Sequence, residues 1–300
     1  MQGGITLSLA LYAAAISLTS VISPHLGLFL AIIISGHMLI FDVKAIQRYS
    51  LVFIAIQVLL IITNQIGYIE AMNAVFGVLI VFVMYLRILR RHYSYPLAIV
   101  SSGLLELIFG FFRKLVFGDY YKTLITQATE LQEVADVLQI SEQQWESIRS
   151  TLERTGSLMW EYHIAFWVVA MLSALYTASL LMRRKTVFGW EHALTRIPHF
   201  VIYLLIAALL ITLIPGLSSI GKNLIVVLGF VYLIQGLAII DFFWGQFMRR
   251  SKWLTAVFIL VLVINIFLLG LVALMGLFDT WFNFRKQKHL EDINENHSEE

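Results

Sequence analysis

The sequence predicts an all-α fold: a polytopic helical membrane protein with eight to nine transmembrane helices and one extracytoplasmic helical hairpin. Three observations predict it. Of 300 residues, 59% are hydrophobic and only 13% charged, whereas an average soluble domain carries about 25% charged residues. Several stretches reach about 20 apolar residues, enough for a helix to cross roughly 30 Å of hydrocarbon. The alternating pattern of transmembrane β-strands is absent.

Nine apolar segments follow in order, over 5–23, 26–41, 51–69, 72–90, 96–117, 160–182, 198–215, 222–246 and 253–277. Pro24 separates the first two, which form either a tight hairpin or one span and one segment that fails to cross. Pro96 and Pro198 stand where the fifth and seventh helices should begin, in the first turn, where a missing N–H is tolerated. The resulting organisation is an N-terminal membrane half over 1–118, the hairpin over 119–158, a C-terminal membrane half over 159–278, and an interfacial segment with a polar tail over 279–300.

Basic residues orient the chain. Twelve of the 21 Lys and Arg residues fall in the short connections after segments two, four, six and eight, from Lys44 to Lys252. Five of the other nine lie at or within the long 113–159 connection, and long loops count for less in the positive-inside rule. The twelve-charge side is therefore expected in the cytoplasm, with the N-terminus. Nine spans then leave the basic ending "FRKQKH" (284–289) outside, and eight bring it inside; both counts stay open.

In the long connection, 121–138 has the apolar spacing of an amphipathic helix: Tyr121, Leu124, Ile125, Ala128, Leu131, Val134, Ala135 and Leu138. Ser141 reads as an N-cap with Gln144 in the capping-box position. A second helix then carries Trp145, Ile148 and Leu152 on one face.

Polar groups inside apolar segments are costly in lipid and so are candidate sites. Four are singled out for substrate binding: Glu106, Gln235, Asp241 and Asn265. Glu106 stands in the middle of "SSGLLELIFG", where a carboxyl needs a proton or a cationic partner, and Arg113 seven residues on is a candidate. Asp241 lies near the end of segment eight, where anchoring or pairing is the plainer role. Gln235 and Asn265 are amides of the kind that join helices. The ending "GLFDTWFNFRK" reads as an interfacial anchor. Gly276 permits close helix approach, Asp279 a cap, Trp281 and Phe284 a headgroup-level seat, and Arg285 a contact with lipid phosphate.

Chemistry is not indicated. No cysteine is present, which removes disulfides and thiolate sites. HExxH, GxSxG, P-loop and GxGxxG motifs are absent, and no His, Asp and Glu set has metal-ligand spacing. The expectation is a protein that is not an enzyme, with no catalytic residues, no metal, no cofactor and no nucleic acid partner.

The last hundred residues resemble the YybS-like family of predicted bacterial multi-pass membrane proteins. Four pieces carry the resemblance in order: "FGWEHALTRIP" (188–198), "NLIVVLGFVYLIQGLAII" (223–240), the basic turn "RRSK", and "GLFDTWFNFRK" (276–286) with Gly276, Asp279, Phe284 and Arg285. The resemblance implies the bacterial cytoplasmic (inner) membrane and no assigned activity. Two functions stay open. One is a small-molecule binding or transport component, partnered by an ATPase subunit or driven by an ion gradient. The other is a non-catalytic scaffold or regulatory partner of another membrane protein. In both the lipid bilayer is the solvent.

Overall fold

The computed structural model describes residues 2–36, 39–40, 42–129, 141–182 and 191–285. Every regular element among them is helical. In chain order these are α1 (Gln2–Ile22), α2 (Pro24–Gly36), α3 (Val43–Ile62), α4 (Tyr68–His92), α5 (Tyr95–Thr129), α6 (Glu142–Met182), α7 (Phe200–Thr212), α8 (Ser218–Arg250), α9 (Lys252–Ile264) and α10 (Ile266–Phe282).

The helix boundaries have local causes. Ser23 takes an extended conformation and accepts from the Leu26 N–H, so Pro24 opens α2 where α1 stops. Asp42 caps α3 by accepting from the Ala45 N–H at 3.0 Å. Tyr93 ends α4 in the left-handed region at φ 52°, with its N–H on the Leu89 carbonyl. Pro96 lies in the first turn of α5, as its missing N–H permits. α2 ends in a π-helical stretch, Ala31–Gly36, and α4 contains a second one, Val75–Ile80. Such widened turns cost backbone geometry and recur at functional sites.

Five helices are long and apolar enough to cross a membrane, or six if the bent pair α9–α10 counts as one span. The expected segments two and seven became shorter apolar helices, Pro24–Gly36 and Phe200–Thr212, while segment one corresponds to the 21-residue α1. Segment nine is not one rod. It breaks at Asn265, where α9 and α10 meet at 100°. Asn265 is extended, and its side-chain oxygen accepts from the Phe267 and Leu268 N–H groups. The amide expected to join two helices instead starts one.

The described parts of the connection after the fifth expected segment are helical extensions. α5 runs on past a non-helical residue, Phe117, to Thr129. α6 is 41 residues long, about 60 Å at 1.5 Å per residue, twice the thickness of the hydrocarbon core. At its start Trp145 donates to the Ser141 carbonyl, and the Ser141 hydroxyl donates to Gln144 Oε1 at 3.0 Å. Residues 130–138 of the expected first hairpin helix lie outside the described residues.

α6 is the element shared by both halves, packing on α2, α5 and α8. It meets its neighbours over glycines, two on α5 and Gly77 on α4. A Cβ on Gly77 would come within 3.0 Å of Trp167, on Gly103 within 2.5 Å of Leu172, and on Gly110 within 2.8 Å of Ile164. In lipid the hydrophobic effect does not drive helices together, so close packing of this kind carries the association.

Candidate functional site: three buried polar clusters

The first cluster surrounds Glu106, which is fully buried on α5. The Trp167 indole N–H, from α6, donates to Glu106 Oε2 at 2.9 Å. Oε1 has no hydrogen-bond partner. The Arg113 guanidinium lies over the Trp167 ring, 3.9 Å from its centroid, and Arg113 is itself buried. Glu106 and Arg113 are thus joined through one indole, its edge bonded to the acid and its face covered by the cation, a favourable pairing for a desolvated guanidinium. His25, from α2, meets the same ring edge-on at 5.4 Å, and its Nδ1 is 3.4 Å from Met171 Sδ. Three helices thus bring an acid with one open oxygen, a cation and an imidazole around Trp167.

The second cluster is built on non-helical backbone. Residues 191–198 hold only a single 3-10 turn, His192–Leu194. They run beside the middle of α8, because the Ile197 N–H donates to Gln235 Oε1 at 3.0 Å and His192 Nδ1 is 3.0 Å from Asp241 Oδ2. Buried backbone without a helical ladder needs other partners for its polar groups. Arg285 supplies two, donating from Nη1 to the Ala193 and Thr195 carbonyls at 2.8 Å each. Its Nη2 pairs with Asp279, whose Oδ2 also accepts from Gln235 Nε2 at 2.9 Å and whose Oδ1 accepts from the Phe284 N–H at 3.0 Å. Asn283, at φ 49°, turns the chain back so that Arg285 can reach inward. Tyr176 O–H and His192 Nε2, 2.6 Å apart, tie the knot to α6.

The knot is close because α8 and α10 touch through backbone. A Cβ on Gly276 would stand 2.0 Å from the Tyr232 carbonyl oxygen, and one on Gly236 2.0 Å from that of Val272.

A third cluster links α6 and α8. Asn223 donates from Nδ2 to the Glu161 carbonyl at 2.7 Å and accepts from the Ala165 N–H at 2.8 Å. Those two groups are the ends of one i→i−4 rung of α6. Lys222 pairs with Glu161 at 2.6 Å. Asn223→Ala should therefore cost only about 1 kcal/mol, since the orphaned pair can bond each other. Asn223→Asp should cost more, because its carboxylate cannot donate to the Glu161 carbonyl. Thermal melts in detergent check this order; Asp tolerated better than Ala would refute it.

The structure sorts the candidates. Glu106 keeps an open oxygen. Gln235 and Asp241 are engaged with 191–198, and Asn265 is a helix cap. Of the anchor residues, Trp281 is exposed and Phe284 half-buried. Asp279 and Arg285 are each 4% exposed. That corrects the expected contact of Arg285 with lipid phosphate: its guanidinium turns inward because two carbonyls and a carboxylate await it there. Sequence reasoning missed Trp167, His25 and His192. Only His192 had a signal, its place in the "FGWEHALTRIP" piece.

These features define a helical membrane protein of several spanning helices whose halves are locked by buried polar contacts. The family described as "Predicted membrane protein (DUF2232)" matches residues 11–280, and the chain belongs to it. No curated protein and no solved structure matches the chain.

Proposed function

We propose that the protein is a small-molecule binding component of a bacterial inner-membrane transport system, with its ligand taken at the Glu106 cluster. The observation that carries this reading is the open Oε1 of a fully buried carboxyl, beside a buried guanidinium. An unsatisfied buried acceptor is expensive, and a structural role would not require it. In this reading α1, α2 and α7 also cross, giving eight to nine passes with the N-terminus in the cytoplasm. Energy would come from an ATPase subunit or an ion gradient.

The test is a thermal-shift screen of vitamins, nucleosides and lipids on purified protein. A ligand at a hundred times its Kd stabilises by about 2.7 kcal/mol. Glu106→Gln should fold with wild-type yield and lose that shift. If Glu106→Gln and Glu106→Leu both keep it, Glu106 leaves the site.

A second reading, a scaffold for another membrane protein, is favoured by the length of α6 beyond the bilayer. Loss of a co-purifying partner on deleting 121–155 would support it. Lost transport with partners unchanged would reject it.

A further inference from the structure

We propose that the recess between α8, α9 and α10 is a binding site for an anionic phospholipid, with one acyl chain inside and the phosphate at the basic turn joining α8 to α9. The 100° bend at Asn265 holds α9 away from α10 and opens a cavity of about 390 Å³, within the range of roughly 300–1,000 Å³ typical of ligand sites. Its walls are wholly apolar. Phe243 and Trp244 come from α8, Val261 and Leu262 from α9, and Leu271 and Met275 from α10. Nothing there could orient a polar ligand, whereas a hydrocarbon chain needs only volume. A flat helix face would meet lipid as solvent; a recess of this size encloses a chain.

The head is selected by charge. One end of the recess is Trp244, 59% exposed, and Trp is the residue of the headgroup boundary. Arg250 follows six residues later on the same helix, about 9 Å along it, and is exposed. The turn also carries Arg249 and Lys252 in sequence. A chain in the recess therefore brings its phosphate toward Arg250, and a basic residue at the membrane surface is worth about 1 kcal/mol toward an anionic headgroup, or roughly fivefold in affinity. None of these residues belongs to the Glu106 cluster, so the inference stands apart from the proposed function.

The test uses the full chain, stripped of lipid in detergent and incubated with phosphatidylglycerol or phosphatidylcholine of the same chains. Retained lipid is counted by native mass spectrometry. Wild type should retain phosphatidylglycerol over phosphatidylcholine by about fivefold or more. Leu271→Trp, which fills the recess from an already exposed position, should lose both lipids. Arg250→Gln should keep phosphatidylcholine retention and lower the preference severalfold. Equal retention of the two lipids by wild type overturns the proposal, as does unchanged retention by Leu271→Trp. A dimer in wild type that Leu271→Trp dissolves also overturns it, making the occupant a second copy of the chain.

Discussion

Arg285→Met is expected to destabilise the protein by about 3–5 kcal/mol, the usual cost of leaving one member of a buried ion pair alone. The cost has two parts. Asp279 is left buried without its cation, with Gln235 and the Phe284 N–H as its remaining partners. The Ala193 and Thr195 carbonyls lose the guanidinium that donates to them. The two parts can be separated. Adding Asp279→Leu to Arg285→Met removes the stranded carboxyl and should recover part of the loss. It should not recover all of it, because the Ala193 and Thr195 carbonyls still lack the Arg285 guanidinium. Melting temperature and folded yield in detergent report the outcome. Full recovery in the double variant would show that Arg285 serves only Asp279.

Gly276→Ala should cost nearly as much, toward the upper end of the roughly 1–3 kcal/mol typical of overpacking. The added methyl would meet main-chain atoms of α8, the Tyr232 carbonyl oxygen at 2.0 Å and the Gly236 nitrogen at 2.7 Å. Backbone cannot rotate away as a side chain can, so the helices must part, and the hydrogen bond from Gln235 to Asp279 parts with them. The control is internal. Gly229 and Gly270, on the same two helices, have nothing within 4 Å of an added Cβ. Alanine there should be neutral or stabilising by about 0.5–1 kcal/mol, since glycine is a weak helix former. Destabilisation of the same size at all three positions would refute the packing argument.

The helical membrane class was legible because apolar length alone decides it, and Pro24 and Pro96 marked real helix starts. Asn265 was not legible as a break. Inside an apolar run, an amide looks the same whether it bonds a neighbouring helix or caps its own. Arg285 misled for a related reason. An arginine after three aromatics reads as an interfacial residue, and its burial depends on carbonyls ninety residues earlier in a segment whose lack of helix follows from no single residue. Glu106 was visible as a charge at mid-span, and Arg113 as a cation on the same helix. The indole between them was not, because Trp167 comes from another helix and gains its place only where Gly77 leaves room.

The length of α6 has a mechanical consequence. Trp167 and the far end of the helix at Glu142 belong to one unbroken rod, 25 residues or about 37 Å apart. Anything that pulls on the outer end works with leverage. A tilt of about 5° about Trp167 would sweep the tip by roughly 3 Å, given that arm length, while turning the indole by the same angle against Glu106 and Arg113. Force at a distant surface and the geometry of the buried acid are then two readings of a single angle.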